Sequence, residues 1–473
     1  MSRGADGKAS VASRKGYTMK DLTRGNIYKT FFSFALPLVF SGVLSQMYAI
    51  VDTVIAGQYL GEAGLAAIGA TSSYITFISS FVWGYGTGVG IFIGHLFGAK
   101  EYGRIKNNAW TQILLIVLAA LLLGGGSVAL HRPIFTLLRV DAAVWDEAFR
   151  YFAIYMGGFF CVVLNNCCMH IATALGSSTV PFVLSVVSGV LNVAGNIFSV
   201  VVLHWGAFGL GLSTVFASAV TFAIYLIYFA VSFRKMPTTE KTRFTFGETK
   251  WIFTFSLPTS FQQATMYAAS LLLSPMVNAI GPAATASYSV THRIFEFNSA
   301  MFYNSSRTVG SYTAQCMGAE KYEKIKKGIG VGLLQALAFL LPVMALCLIF
   351  PDTLVGIFSK AGDGESLGYS LFFVKVCLPF AVFHCVDNLF HHLYRGVKKM
   401  GLLLLSTGFA SLVRIAVGFI LTPFFGMEGF YVAWAASWVL EALLNLLVYL
   451  FGLWIPKEGR NVIRAPLGKR PTA

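Results

Sequence analysis

Charge is scarce in this 473-residue chain: Asp, Glu, Lys and Arg together make up 12% of it, where an ordinary soluble domain carries about 25%. With 56% hydrophobic residues, the chain has too little charge to cover its apolar surface in water, which excludes an ordinary soluble enzyme. A phosphate-cradling loop is also missing, because the glycine-rich stretch GVGIFIG (88–94) lies inside an apolar run and does not open a helix after a strand. The eight His are scattered, and His391 and His392 are adjacent, a spacing that cannot put two metal ligands on one helix face. All seven cysteines (Cys161, Cys167, Cys168, Cys316, Cys347, Cys377, Cys385) fall within apolar segments, which predicts packing residues and no disulfide. No enzymatic chemistry, no cofactor and no metal beyond a sodium ion is expected. Residues 1–29 are polar and basic without a short apolar core, so no cleavable signal peptide is expected either.

Long apolar runs are present instead. Twelve stretches can cross about 30 Å of hydrocarbon: 27–54, 63–97, 107–130, 148–174, 179–203, 207–233, 249–280, 283–316, 327–350, 366–395, 400–424 and 428–455. Lipid leaves backbone groups no water to bond, so these stretches are predicted as helices. The net charge of +15 raises the question of a nucleic-acid partner, and the placement of the charge answers it. Of 35 Lys and Arg, 27 fall in residues 1–29, 98–108, 234–250, 317–327, 395–399 and 456–473, on one side of the alternating spans. The opposite-side loops hold only Arg132, Arg139 and Lys360. This pattern predicts a multi-pass membrane protein with both termini cytoplasmic, partnered by the lipid bilayer and by no nucleic acid.

The two halves correspond at an offset of about 220 residues. Val89-Gly90, Gly98-Ala99, Tyr102 and Ile105-Lys106 return as Val309-Gly310, Gly318-Ala319, Tyr322 and Ile325-Lys326, while Gly176, Gly206 and Gly209 return as Gly396, Gly426 and Gly429. Phe34-Ala35-Leu36-Pro37 reappears as Phe255-Ser256-Leu257-Pro258 after a one-residue slip. Six spans per half is an even number, so both halves begin on the same side and the pseudo-two-fold axis runs along the membrane normal. The expected fold is an all-α polytopic membrane protein of twelve helices in two six-helix bundles. Its expected parts are a cytoplasmic tail (1–26), an N-lobe (27–233), a basic linker (234–248), a C-lobe (249–455) and a second cytoplasmic tail (456–473).

The stretches LPLVFSGVLSQMYAIVDTVIAGQYLG (36–61), IGHLFGAKEYGRIKN (93–107), ALGSSTVPF (174–182) and LNVAGN (191–196), together with the duplicated plan, resemble the multidrug and toxic compound extrusion (MATE) family of bacteria. The resemblance covers nearly the whole chain and is nearest to the DinF-like subgroup. It implies efflux of cationic or amphipathic compounds against protons or sodium ions, with substrate held between two lobes of a functional monomer.

A charge in the middle of a membrane helix costs about 2.5–3.5 kcal/mol on insertion scales and needs a partner or a purpose. Four acids lie in spans: Asp52, Glu296, Asp387 and Glu441. The last three have candidate basic partners, since Arg293 shares a helix face with Glu296, and Arg307 and Arg414 lie at the depths of Asp387 and Glu441. Such pairing would make these acids structural. No such partner is near Asp52, which must therefore carry a proton or bind a cation. Asn192 and Asn196, four apart on one helix face, and Thr214 are its candidate neighbours. In the DinF-like pattern, an Asp of the first helix, an Asn and an Asp of the fifth and a Thr of the sixth form the amino-lobe cation site. Asp52, Asn192 and Thr214 fit that pattern, while Asn196 stands in place of its second Asp, which favours protons over sodium as the coupling ion. The seventh-helix carboxylate of the family is also missing; Gln262, Gln263 and Asn278 stand in that helix.

Gln46, Asn165, Asn166, Gln262, Gln263, Glu296, Asp387 and His391 are the remaining polar candidates for a substrate cleft or a second-lobe site. Pro37 and Pro258 are candidate hinges or static kinks, and Gly84, Gly86, Gly88, Gly90 and Gly94 are expected to pack closely against other helices. The function classes left open are an ion-coupled exporter, a flippase for lipid-linked saccharides of the same broader superfamily and, disfavoured for want of a large extramembrane domain, a receptor or scaffold.

Overall fold

The computed structural model describes residues 19–240, 242–358, 364–458 and 460–461. Lys360 and the outer parts of both expected tails lie outside the described residues. Twelve spans are present. The first half contains α1 (Ile27–Tyr59), α2 (Gly61–Gly98), α3 (Tyr102–Ala129), α4 (Trp145–Gly157, then Phe159–Ala174), α5 (Thr179–Val202) and α6 (Gly206–Arg234). The second half contains α7 (Thr249–Ile280), α8 (Pro282–Gly318), α9 (Glu323–Ile349), α10 (Gly364–Gly396), α11 (400–425) and α12 (427–450).

Four departures from regular α-helix shape the spans and their junctions. The two pieces of α4 meet at Gly158 with a bend of 45°. Its Cα approaches Val215 so closely that an added Cβ would lie 2.2 Å from Val215 Cγ1. The end of α5 is π-wound over Ile197–Val202, and α10 is π-wound over Phe373–Cys377. Between α11 and α12 the chain turns at Gly426, whose φ of 56° and ψ of −135° favour glycine.

Among the described residues eight helices, or nine with the bent pair, are apolar enough by composition alone to cross a membrane. Two things close the gap to twelve. The run Met400–Leu450 holds two spans, and α7 and α8 are too polar to pass. The polarity of α8 has a physical reason: it is packed by α1, α2, α9 and α10, so its many buried Ser, Thr and Asn side chains face protein instead of lipid.

The two six-helix bundles each enclose a core, one centred on Phe152, Phe159, Leu164 and Phe229 and the other on Phe302, Phe373, Tyr431 and Trp438. The first turns of α1 and α7 exchange sides. Phe31, Phe34 and Leu38 pack with Tyr312, Ile325 and Leu389 of the second half, whereas Ile252 and Phe255 join the core of the first. The packing boundary between the lobes therefore departs from a strict 27–233 and 249–455 division.

Contact between the lobes is concentrated toward the face that carries the basic loops. An added Cβ at Gly84 or Gly88 would lie 2.5 Å from Ser260 Cα or 2.4 Å from Ser256 Cα on α7, so these glycines let α2 and α7 meet backbone to backbone. Gly86 and Gly90 approach α4, and Gly94 approaches Ala314. At the end of this seam the contact is reciprocal: Gly98 lies against the Gln315 carbonyl and Gly318 against that of His95, and both pairs are related by the 220-residue offset. The Gln315 side chain closes the seam, accepting from Leu22 N at 2.8 Å and donating to Ala174 O at 2.9 Å. The linker is pinned as well. Glu248 accepts from Arg104 Nε at 2.7 Å and Asn108 Nδ2 at 2.6 Å, and the backbone N–H groups of Arg243 and Thr245 donate to Asn107 and Thr111.

Candidate functional site

A cavity of about 350 Å³ opens within the first lobe, a size in the range of small-molecule pockets. Its α1 wall is built by Ser41, Ser45, Tyr48, Ala49 and Asp52, residues that recur at helical spacing on one face. Asn192 and Thr214 supply the α5 and α6 walls, and Asn165, Asn166 and Met169 come from α4. Tyr48 fixes the register of α1 on α5, because its ring occupies the space that a Cβ at Gly189 would take, 1.8 Å from Tyr48 Cε2.

Asp52 is the single acid among the lining residues, and no Lys or Arg lies within 4 Å of it among the described residues. Asn196 Nδ2 donates to its Oδ1 at 2.6 Å. The terminal amide of Asn192 faces the same carboxyl. With its NH₂ toward Asp52 it donates to Oδ1 at 2.8 Å while its carbonyl accepts from Thr214 Oγ1 at 3.1 Å. This orientation suits a carboxylate, which only accepts. Asn165 and Asn166 line the same cavity.

The other polar candidates lie elsewhere. Gln46 is six residues from Asp52 on α1, on another face of the helix, and is not among the cavity-lining residues. Gln262 is buried and accepts from Arg395 Nη2 at 2.7 Å, while Gln263, one residue round the helix, is half-buried. Pro37 and Pro258 sit inside the continuous helices α1 and α7. The seven cysteines are free and buried.

The expected Arg–acid pairs do not form, because equal depth does not fix which way two helices turn their faces. Glu441 Oε1 accepts from Ser406 Oγ at 2.9 Å and lies 2.9 Å from His391 Nε2. Asp387 Oδ1 accepts from Asn445 Nδ2 at 3.0 Å, and Asn445 Oδ1 accepts in turn from Tyr394 and Ser406. Arg414 lies over the Trp434 ring, 5.4 Å from its centroid, and donates to Ser437. Glu296 faces His292 at 3.9 Å, and Arg293 is exposed.

Sequence reasoning missed His384. It brings an imidazole nitrogen within 4.8 Å of carboxylate oxygens of Asp387 and Glu441, and its Nε2 lies 2.9 Å from Tyr303 Oη. The signal was available: 384, 387 and 391 share one helix face. Phe295, Trp434 and Trp438 wall this group off. The second lobe therefore holds a packed hydrogen-bonded network where the first holds an open cavity.

The MatE family model matches this chain twice, over residues 37–198 and 258–420. The Multidrug export protein MepA of Staphylococcus haemolyticus is 22% identical over 432 residues, 90% of this chain and 94% of that protein. DNA damage-inducible protein F of Escherichia coli is 28% identical over 210 residues, 42% of this chain and 43% of that protein. Among solved structures, the outward-facing conformation of a multidrug resistance MATE family transporter of the MOP superfamily superposes with a TM-score of 0.86 at 18% identity, covering 93% of this chain and 99% of that one.

Proposed function

This chain belongs to the MatE family, and from that premise we propose that it is a secondary active exporter of amphipathic compounds, cations among them, driven by protons moving inward through the first lobe. It is a transporter and not an enzyme. We place it as a functional monomer in a bacterial cytoplasmic membrane, like that of the bacteria its relatives come from, with both termini cytoplasmic on the strength of the one-sided Lys and Arg count. The linker, 234–248, joins two lobes that rock against one another.

The observation that carries the coupling is the isolation of Asp52 in a cavity wall where amide donors converge on it. A sodium ion needs several oxygen ligands turned toward it, whereas Asn196 turns its NH₂ to the carboxylate. That arrangement suits a proton. With the basic-face seam closed, the cavity faces the opposite side, from which a proton reaches Asp52. Protonation removes the charge that held Asn196 and Asn192. The wall that meets substrate is thereby rebuilt, and the α1–α5 contact near Tyr48 loosens about Pro37.

The test uses the full chain in proteoliposomes with a fluorescent cation, an imposed pH gradient and no sodium. Wild type is expected to transport, and Asp52→Asn to fall to the empty-vesicle level. Undiminished pH-driven transport by Asp52→Asn sinks the coupling reading. Wild type silent across several cations, under both pH and sodium gradients, sinks the export reading.

A further inference from the structure

Along the seam, short of its Gly98–Gly318 end, one guanidinium lies buried and a second half-buried, neither against an acid. Arg307 of α8 reaches across to the first lobe, donating only to the soft Met169 Sδ at 3.5 Å, and Met169 lines the cavity. Tyr225, also cavity-lining, lies within its electrostatic reach. Arg395 of α10 donates to Gln262, yet its Nε is buried without any acceptor and the residue is 5% exposed. The two positive charges repel one another, and two buried imidazoles, His170 and His392, share their field. Among the described residues no carboxylate lies within 4 Å of either guanidinium.

The internal repeat shows that this charge is not needed to build the seam. His170 abuts Gly90 and His392 abuts Gly310, and Gly90 and Gly310 are 220 residues apart. At the same offset, Arg307 corresponds to Thr87, whose hydroxyl lies 3.2 Å from His170 Nε2. The first half closes this corner with a hydroxyl, while the second places a guanidinium there and leaves it uncompensated. Burying such a charge is costly unless something answers it.

We propose that Arg307 and Arg395, flanked by His170 and His392, form an oxyanion site behind the cavity's Met169 wall that takes the carboxylate or phosphate group of an amphipathic substrate. Guanidinium forks match both groups in geometry, and Tyr225, Met169 and Trp83 offer the apolar part of such a compound a surface. The proposal deepens the export reading by naming a second substrate class. It rests on that reading only in taking the occupant to be cargo.

The test is equilibrium binding to the purified full chain in detergent, at fixed pH and without any gradient, so that it stands apart from coupling. Benzoate and phenyl phosphate are the probes, with benzyl alcohol and benzyltrimethylammonium as neutral and cationic controls. Saturable binding of one or both oxyanions is expected, with the preferred probe identifying the group. Arg307→Thr, which installs the first-half residue, should weaken binding at least about tenfold, Arg307→Lys should weaken it less, and Gly125→Leu, in open space away from the cavity, should leave it within about twofold. The Thr variant should also be no less heat-stable than wild type, since a purely structural arginine would leave a weaker fold when removed. The proposal is overturned by wild type binding neither oxyanion, by Arg307→Thr binding as wild type does, or by the cation and alcohol binding as tightly as the oxyanions.

Discussion

The two lobes share a backbone plan and differ in what they do with buried polarity. In the first lobe α1, α5 and α6 stand around a cavity, and one carboxyl accepts from the amides of Asn192 and Asn196. In the second lobe the acids are packed in place: Glu441 is held by His391 and Ser406, Asp387 by Asn445, and aromatic rings fill the space around His384. Neither network is complete, since Asp387 Oδ2 and His384 Nδ1 are buried without a partner and so is Asn196 Oδ1; the difference is room, with packed rings around one and an open cavity beside the other. The two halves repeat one scaffold, and the first keeps an open cavity beside its acid.

The largest effect should come from denying the lobes their seam. Leucine at Gly88 has no space beside the Ser256 backbone, and overpacking costs about 1–3 kcal/mol or more. Transport by Gly88→Leu should fall to background, and thiol reagents should label Cys316, which is fully buried in the closed form. Gly125→Leu, in open space, should do neither. Next, Glu441→Ala strips the acceptor from His391 and Ser406 and should cost about 3–5 kcal/mol of stability, read as a lower unfolding midpoint in detergent. Flux per folded molecule should keep its pH dependence. If stability is unchanged and pH-driven flux disappears, coupling resides in the second lobe and the contrast drawn above is wrong.

A gentler change sharpens the contrast. Asn196→Asp gives the cavity a second carboxylate, which should make sodium a ligand: sodium should raise heat stability, and sodium-driven flux should grow about tenfold relative to wild type. Smallest of all should be Gln46→Ala, off the cavity-lining face, with less than about 0.5 kcal/mol in stability and less than a twofold change in flux.

Spans, repeat and first-lobe acid were legible because each depends on local composition. Run length announces a membrane helix, and an offset of 220 residues is visible as letters. Asn192 and Asn196 could be paired because a helix face follows from spacing, and the resemblance to the DinF-like pattern joined Asp52 and Thr214 to them. The partners of Asp387 and Glu441 were not legible, since they depend on how α10, α11 and α12 rotate about their axes, which depth counting does not fix. Polarity within a span likewise does not say which side it faces, and Gln46 lies off the lining of the first-lobe cavity. The polarity of α8 could have warned that this helix is central, because only a helix shielded from lipid can carry so many hydroxyls.

The reciprocal contact of Gly98 with Gln315 and Gly318 with His95 also bears on ancestry. A patch that is its own complement under a two-fold rotation is the signature of an isologous dimer. A six-helix forerunner, inserted twice in the same orientation, could have met its own copy through this glycine. Fusion then released the halves from identity: once joined, a substitution no longer appeared on both sides of the axis, so threonine could remain at position 87 while arginine arose at 307.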